Sequence, residues 1–361
     1  MNTTVGIIVN PNAGKDIRRL VTPATHTSDG TKVGIVRRAI VAAFESGATK
    51  VLLMPDRHRL AEKAADGIKG FGNSTIEIVD EPLSGTRFDT IAAARRFWKE
   101  QVGAVIALGG DGTSRDVAIG WPDAPLIAIS TGTNNVYPSA IDGTSAGAAA
   151  AFVAGGIVDI GVVGRRSKKV VVRVDDHDKS IDDLALVDLA FINSMFIGAR
   201  AVRDPNTVQA VISAVATPAS TGLSSIAGRI HPVGRWEAGG VFVRLGSGGR
   251  KVRVPLAPGS FITMEVAEVR PLAEGEEITM SGKTILAFDG ERDLPVSPDG
   301  IVTARIKASG PLLIDVEQTL IIAAQSHLFD ENPRHVSGNT TSNTTSNTTS
   351  KNSEENEHHV Y

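Results

Sequence analysis

The chain has 361 residues, 42% of them hydrophobic and 21% charged, with a formal net charge of −3, a balance that argues against bulk binding to nucleic acid or an anionic membrane surface. Cysteine is absent, which excludes disulfides and thiolate-held metals. The length leaves room for two domains.

The N-terminus, MNTTVGIIVNPNAGK, has neither the basic start nor the long apolar core of a signal peptide. No run approaches the ~18 apolar residues of a spanning helix, so a cytoplasmic protein without a membrane partner is expected. From there to residue 155, short β-branched runs at 5–10, 50–55, 76–81, 104–109 and 125–130 read as buried strands. Helical stretches at 32–46, 59–69, 87–101, 114–119 and 144–154 alternate with them. This alternation predicts β-α-β units on a doubly wound parallel sheet. Right-handed crossovers then bring the C-terminal ends of all the strands to one edge, where open α/β sheets bind ligands.

The pattern changes after residue 155. Strand-like segments follow one another from IVDIGVVG at 157–164 to GIVTARIKAS at 300–309, which predicts a mostly antiparallel, sandwich-like second domain over 156–330. One helix is expected at 207–216. The last apolar run, LLIDVEQTLIIAAQ at 312–325, either finishes that domain or returns to the first. Residues 337–361, with repeated Asn-Thr-Thr units, lack the apolar content needed to offset the entropy of ordering and are expected to be disordered.

Three loops on the predicted ligand edge carry unusual chemistry. In AVIALGGDGTSRDV, Gly109, Gly110 and Gly112 remove side chains, so that backbone N–H groups and a helix N-terminus can approach a phosphate. Thr113 adds a hydroxyl. Asp111 is the one negative charge within the glycine-rich turn at 109–113. It can take a proton from an attacking hydroxyl or help hold a magnesium ion that travels with phosphates, or simply stabilise the turn and cap the helix. In NPNAGK, Asn10 and Gly14 shape a turn, and Lys15 is a phosphate contact or a solvated charge. In STGTNN, Thr131, Gly132, Thr133, Asn134 and Asn135 offer neutral donors and acceptors for ribose or phosphate oxygens.

The second domain adds ILAFDGERDLP, where Asp289 and Gly290 read as a hairpin turn. Glu291 either flanks that turn or completes a site across the domain cleft. GLSSIAGRIHP at 222–232 covers a ligand or turns the chain. No HExxH, Walker-type loop or GxGxxG fingerprint after the first strand is present.

Taken in order along one chain, NPxxG, GGDGT, GTxN and DGE resemble the ATP-NAD kinase superfamily, which shares its GGDGT loop with diacylglycerol-type lipid kinases. GIIVNPNAGKDIRRLV, GTRFDTIAAARRFWKEQVGAVIALGGDGTSRDVA and STGTNNVYPSAIDGTSAGAAAAFVAG are similar to the AcoX type, the acetoin-catabolism protein X group. The resemblance implies an α/β domain followed by a β-rich domain with the site between them. It also implies transfer of a phosphoryl group from ATP or polyphosphate to the 2′-hydroxyl of the NAD adenosine ribose. By that resemblance Asp111 activates the hydroxyl, Gly109, Gly110, Gly112 and Thr113 hold phosphate, and Mg²⁺ is held mainly through the phosphates. Asn10, Gly14, Lys15, residues 131–135 and Asp289 complete the nucleotide site. The expected partners are small nucleotides and further copies of the chain.

Two features depart from the main NAD kinase group. Thr133-Asn134-Asn135 is nearer to the lipid-kinase GTxND pattern than to an Asn-Glu pair. Asp289-Gly290-Glu291 looks like the lipid-kinase DGE, whose glutamate is a candidate base. A lipid kinase and a non-catalytic NAD- or ATP-binding accessory protein in acetoin metabolism therefore stand as alternatives.

Overall fold

The computed structural model describes residues 3–14, 27–69, 71–132, 135–193 and 205–330. Lys15, Thr133, Asn134 and the polar tail expected to be disordered lie outside the described residues.

The first part of the chain alternates strictly: β1 (Thr4–Val9), α1 (Asp29–Glu45), β2 (Lys50–Leu53), α2 (Leu60–Ala65), β3 (Thr75–Ile78), α3 (Arg87–Lys99), β4 (Ala104–Gly109), α4 (Asp111–Gly120), β5 (Pro125–Ser130) and α5 (Gly143–Ala154). Side-chain caps start most of the long helices. The N–H of Thr31 donates to Ser28, that of Phe88 to Thr86, and that of Thr144 to Asp142. Helix α4 departs from this, because its cap is Gly110, which contributes no side chain. It begins at Asp111, three residues before the expected Ser114, so the aspartate lies in the first helical turn. Strand β3, expected to be buried, alternates exposed and half-buried residues because it is the sheet edge.

Next come α6 (Ile160–Val163) and β6 (Gly164–Arg166). A strand was expected across 157–164, but Asp159 accepts the Gly161 N–H and nucleates a helical turn there. The β-rich part then runs β7 (Lys169–Asp176), β8 (Lys179–Ala185), β9 (Asp188–Ile192), β10 (Val208–Ser213), α7 (Ser224–Gly228), β11 (Gly240–Ala257), β12 (Ser260–Leu272), β13 (Glu277–Ser281), β14 (Thr284–Phe288), β15 (Glu291–Val296) and β16 (Ile301–Lys307). These strands form a six-stranded sheet, β12-β11-β10-β9-β14-β15, and a four-stranded sheet, β13-β16-β7-β8. Every pairing within both sheets is antiparallel.

Between these sheets lies a core of Val170, Val172, Leu189, Phe191, Ile212, Phe288 and Val302. The outer face of the larger sheet buries Ile192, Val211 and Val243 beneath Ile226 and Ala227 of α7. Strand β10 therefore has an apolar neighbour layer on both sides. Its sequence VQAVIS is apolar on both faces for that reason, and the helix expected over 207–216 is instead a central strand. In β11, Leu245 and Arg250 both pair with Val266, so GSGG at 246–249 loops out. Beyond this bulge, Val254 and Leu256 join the core under α7. A Cβ on Gly249 would lie 1.9 Å from the Val266 carbonyl oxygen, so only glycine permits that corner.

The last apolar run returns to the first sheet. It forms β17 (Leu312–Ile314), parallel to β5, and α8 (Val316–Gln325), which packs on α5. The completed sheet has the order β3-β2-β1-β4-β5-β17-β6. The chain leaves β1 towards β2 and later crosses to β4 on its other side, so the topological switch lies between β1 and β4. Among the described residues no helix is long and apolar enough to cross a membrane.

Candidate functional site

At the switch point the loops after β1, β4 and β5 touch. The Asn10 N–H donates to Leu108 O at 3.0 Å, and the Asn10 side-chain amide donates to Thr113 Oγ1 at 2.9 Å. The Thr131 N–H donates to Gly109 O at 3.0 Å. A Cβ on Gly109 would lie 2.2 Å from Thr113 Oγ1, and one on Gly110 would lie 2.9 Å from Asn135 Oδ1. These two glycines let the loops close on each other. Gly112 instead faces open space, with nothing within 4 Å of the place a Cβ would take. The Thr131 hydroxyl is buried and has no hydrogen-bond partner among the described residues. A helix N-terminus, an open glycine and an unpartnered buried hydroxyl are the features a phosphate group needs.

Asp111 is 8% exposed. Its Oδ1 accepts the N–H groups of Val136 at 3.0 Å and Tyr137 at 2.7 Å, and Oδ2 shares the Val136 N–H at 3.1 Å. Oδ2 keeps lone-pair capacity for a further donor. Burial, then the charge of Asp289, raise the Asp111 pKa from 3.8 to about 7, against the two N–H groups and Arg235, which lower it. Arg235, from the β-rich part, donates to Val136 O at 2.5 Å and lies 5.6 Å from the centre of the Tyr137 ring. The Val136 carbonyl and the Tyr137 N–H belong to one peptide group. Arg235 and Asp111 therefore grip opposite ends of the same dipole, which strengthens both bonds.

Asp289 and Gly290 form the expected hairpin turn between β14 and β15, with φ of 50° and 86°. The Asp289 carboxylate is not on a solvated turn. It accepts the N–H groups of Leu186, Val187 and Asp188 at 2.8 to 3.3 Å, and thus binds the β14–β15 turn to the β8–β9 connection. Leu186 and Val187 insert into the core on one face of the parallel sheet. Burial raises the Asp289 pKa, while Arg115 and the three N–H groups oppose the rise. Arg115 itself pairs with Asp183 at 2.6 Å and stacks 4.3 Å over the Phe288 ring. Glu291 is exposed, and its charge acts on Asp116. Burial raises that carboxyl to about 7 although Arg87 pairs with it at 2.8 Å. The two candidate acids thus sit differently: Asp111 is enclosed beside Asp289, and Glu291 lies outside.

The NPN loop is held from below by a residue that sequence reasoning missed. Lys32 is fully buried, and its ammonium donates to the carbonyls of Asn10 (3.1 Å), Pro11 (2.8 Å) and Ala13 (2.8 Å). Gly14 follows with φ of 73°, a left-handed conformation. Replacing Lys32 with methionine keeps the stem and strands three carbonyls, and is expected to destabilise the fold by about 2–4 kcal/mol. Urea denaturation of the two proteins measures this.

Residues 5–157 match the ATP-NAD kinase N-terminal domain, and residues 168–309 match the acetoin catabolism protein X C-terminal domain. Over 340 residues the chain is 35% identical to acetoin catabolism protein X of Cupriavidus necator, covering 91% of this chain and 95% of that protein. The chain belongs to the acetoin catabolism protein X family. Its fold is that of the NAD kinases: yeast NADH kinase complexed with NADH is similar with a TM-score of 0.50 and 12% identity, over 93% of this chain and 90% of that one. The family resemblance read from the four loops and the two-part fold it implied are both borne out.

In this member of the acetoin catabolism protein X family, the residues that organise the site come from far apart in sequence. Arg235 and Lys32 had no local signal, since an arginine in a glycine-rich loop and a lysine in an amphipathic helix ordinarily read as solvated. Among the described residues no group of three or more His, Asp or Glu side chains could hold a metal ion.

Proposed function

We propose that this protein is a NAD kinase-like phosphotransferase that moves the terminal phosphoryl group of ATP, or of polyphosphate, to the 2′-hydroxyl of the NAD adenosine ribose, giving NADP. The observation that carries this reading is Asp111: a buried carboxylate in the first turn of α4, at the switch point, whose Oδ2 keeps lone-pair capacity beyond the shared Val136 N–H, with a proton affinity centred near neutral pH. A base is most effective when its pKa lies near the working pH. The hydroxyl oxygen forms a bond to the terminal phosphorus, the bond to the bridging oxygen breaks, ADP or the polyphosphate shortened by one unit leaves, and the hydroxyl proton passes to Asp111.

Gly112, Thr113 and Thr131 are the residues that would hold the phosphates, and Asn135 borders them through the Gly110 and Gly132 contacts. A magnesium ion carried with the phosphates at these residues would supply charge neutralisation. The backbone clamp on Asp111 is equally what a structural carboxylate would have, and it supports a second reading, a nucleotide-binding accessory protein without turnover.

Incubation with terminally labelled ATP, magnesium and a panel of NAD, NADH and diacylglycerol vesicles separates the readings. Label is expected in NADP. Label in the lipid fraction would favour the lipid-kinase alternative, and nucleotide binding with no transferred label would favour the accessory role.

A further inference from the structure

A cavity of about 370 Å³ lies at the junction of the two parts of the molecule, lined by Arg165, Lys168, Arg235, Trp236, Glu237 and Glu274. Arg165 stacks 4.4 Å over the Trp236 ring, and Arg235 lies 5.9 Å from the same ring. Lys168 is 5% exposed and donates to Gly234 O and Gly239 O, both at 3.0 Å, which leaves one of its three N–H donors over. Among the described residues none of these three cations forms an ion pair within 4 Å. The two acids are spent otherwise: Glu237 accepts the Gly234 N–H at 2.9 Å, and Glu274 accepts the Ala308 N–H at 2.8 Å. A fourth cation, Arg166, is taken up by Asp123 at 2.8 Å and by Gly310 O.

A buried ammonium without a close counter-ion is costly. Burial indeed lowers the Lys168 pKa to about 8, even with Glu237 and Glu274 acting from a distance. The cavity is concave, of a size for a small metabolite, and carries an excess of positive charge on guanidinium and ammonium groups. Arginine forks and a lysine point charge are the donors that recognise phosphate oxygens.

We propose that this cavity is a second anion site, distinct from the loops around Asp111, and that it binds a phosphate group through Arg165, Lys168 and Arg235. The site stands whether or not the protein is a kinase. Through Arg235, which also holds the Val136 carbonyl, it adjoins the peptide that grips Asp111.

The test is calorimetric titration of the full chain at low ionic strength with inorganic phosphate, pyrophosphate and ADP in separate arms. Arg165→Ala is the variant, because Arg165 is exposed, so its loss spares the fold, and it lies outside the proposed catalytic loops. Saturable binding of at least one of the three that weakens tenfold or more in Arg165→Ala is expected. Preference for phosphate or pyrophosphate over ADP would identify a free inorganic anion, and the reverse preference a nucleotide, each consistent with the site. Absence of binding by the wild-type protein, or equal affinity in the variant, would overturn the proposal.

Discussion

Asp111→Asn is expected to lower phosphoryl transfer by ~10² or more while making the folded protein more stable above neutral pH. Asparagine keeps the shape and, through its oxygen, can still accept the Val136 and Tyr137 N–H groups. It removes the charge that burial penalises. In the folded wild type Asp111 holds its proton to about pH 7, whereas an unfolded chain releases it near 3.8. Between those values the folded state binds more protons, so stability falls as pH rises through that window and levels off above 7. The asparagine variant lacks this slope. At pH 8 it should be more stable by roughly 2–4 kcal/mol, with little difference at pH 4. Thermal denaturation across pH 4 to 8 shows this directly. A variant as pH-sensitive as the wild type would mean that Asp111 is not the buried titrating group.

The second large effect belongs to Asp289. Alanine there strands the N–H groups of Leu186, Val187 and Asp188 and places a Cβ residue at φ of 50° without a polar partner. A loss of about 3–5 kcal/mol is expected in chemical denaturation. Asparagine keeps an acceptor and tolerates the left-handed conformation, so it should fold well. It also removes the charge that raises the Asp111 pKa. The acid limb of the activity profile, which rises as Asp111 loses its proton, should therefore move to lower pH in Asp289→Asn. The other groups facing Asp111 are unchanged in that variant: Arg235, and Tyr137, whose own hydroxyl burial pushes up. A profile that stays in place would separate Asp289 from the titration of Asp111 and leave it a purely structural role.

These two residues also mark how far the sequence could be read. The parallel sheet was legible because strands such as AVIALG are apolar throughout and are followed by a turn and a helical stretch. The Asp289-Gly290 hairpin was legible because few residues besides Asp and Gly suit two successive left-handed positions. What each carboxylate binds was not. The donors to Asp111 lie 25 and 26 residues further on, and those to Asp289 more than 100 residues back, so neither leaves a local pattern. The misreading of β10 as a helix has the same origin. A six-residue strand covered on both faces shows no two-residue alternation, and only the layers above and below it decide. Helix α4 starting at Asp111 was hidden because glycine and aspartate favour turns, whereas here Gly110 supplies the cap position itself.

The most direct measurement is NADP formation by the purified full chain given NAD, magnesium and either ATP or polyphosphate, followed beside Asp111→Asn. NADP should accumulate with one of the two donors in the wild type and fall to near background in the variant. Binding of NAD or ATP with no NADP from either donor, or equal turnover by Asp111→Asn, would contradict the assignment of Asp111 as the base of a NAD kinase-like reaction.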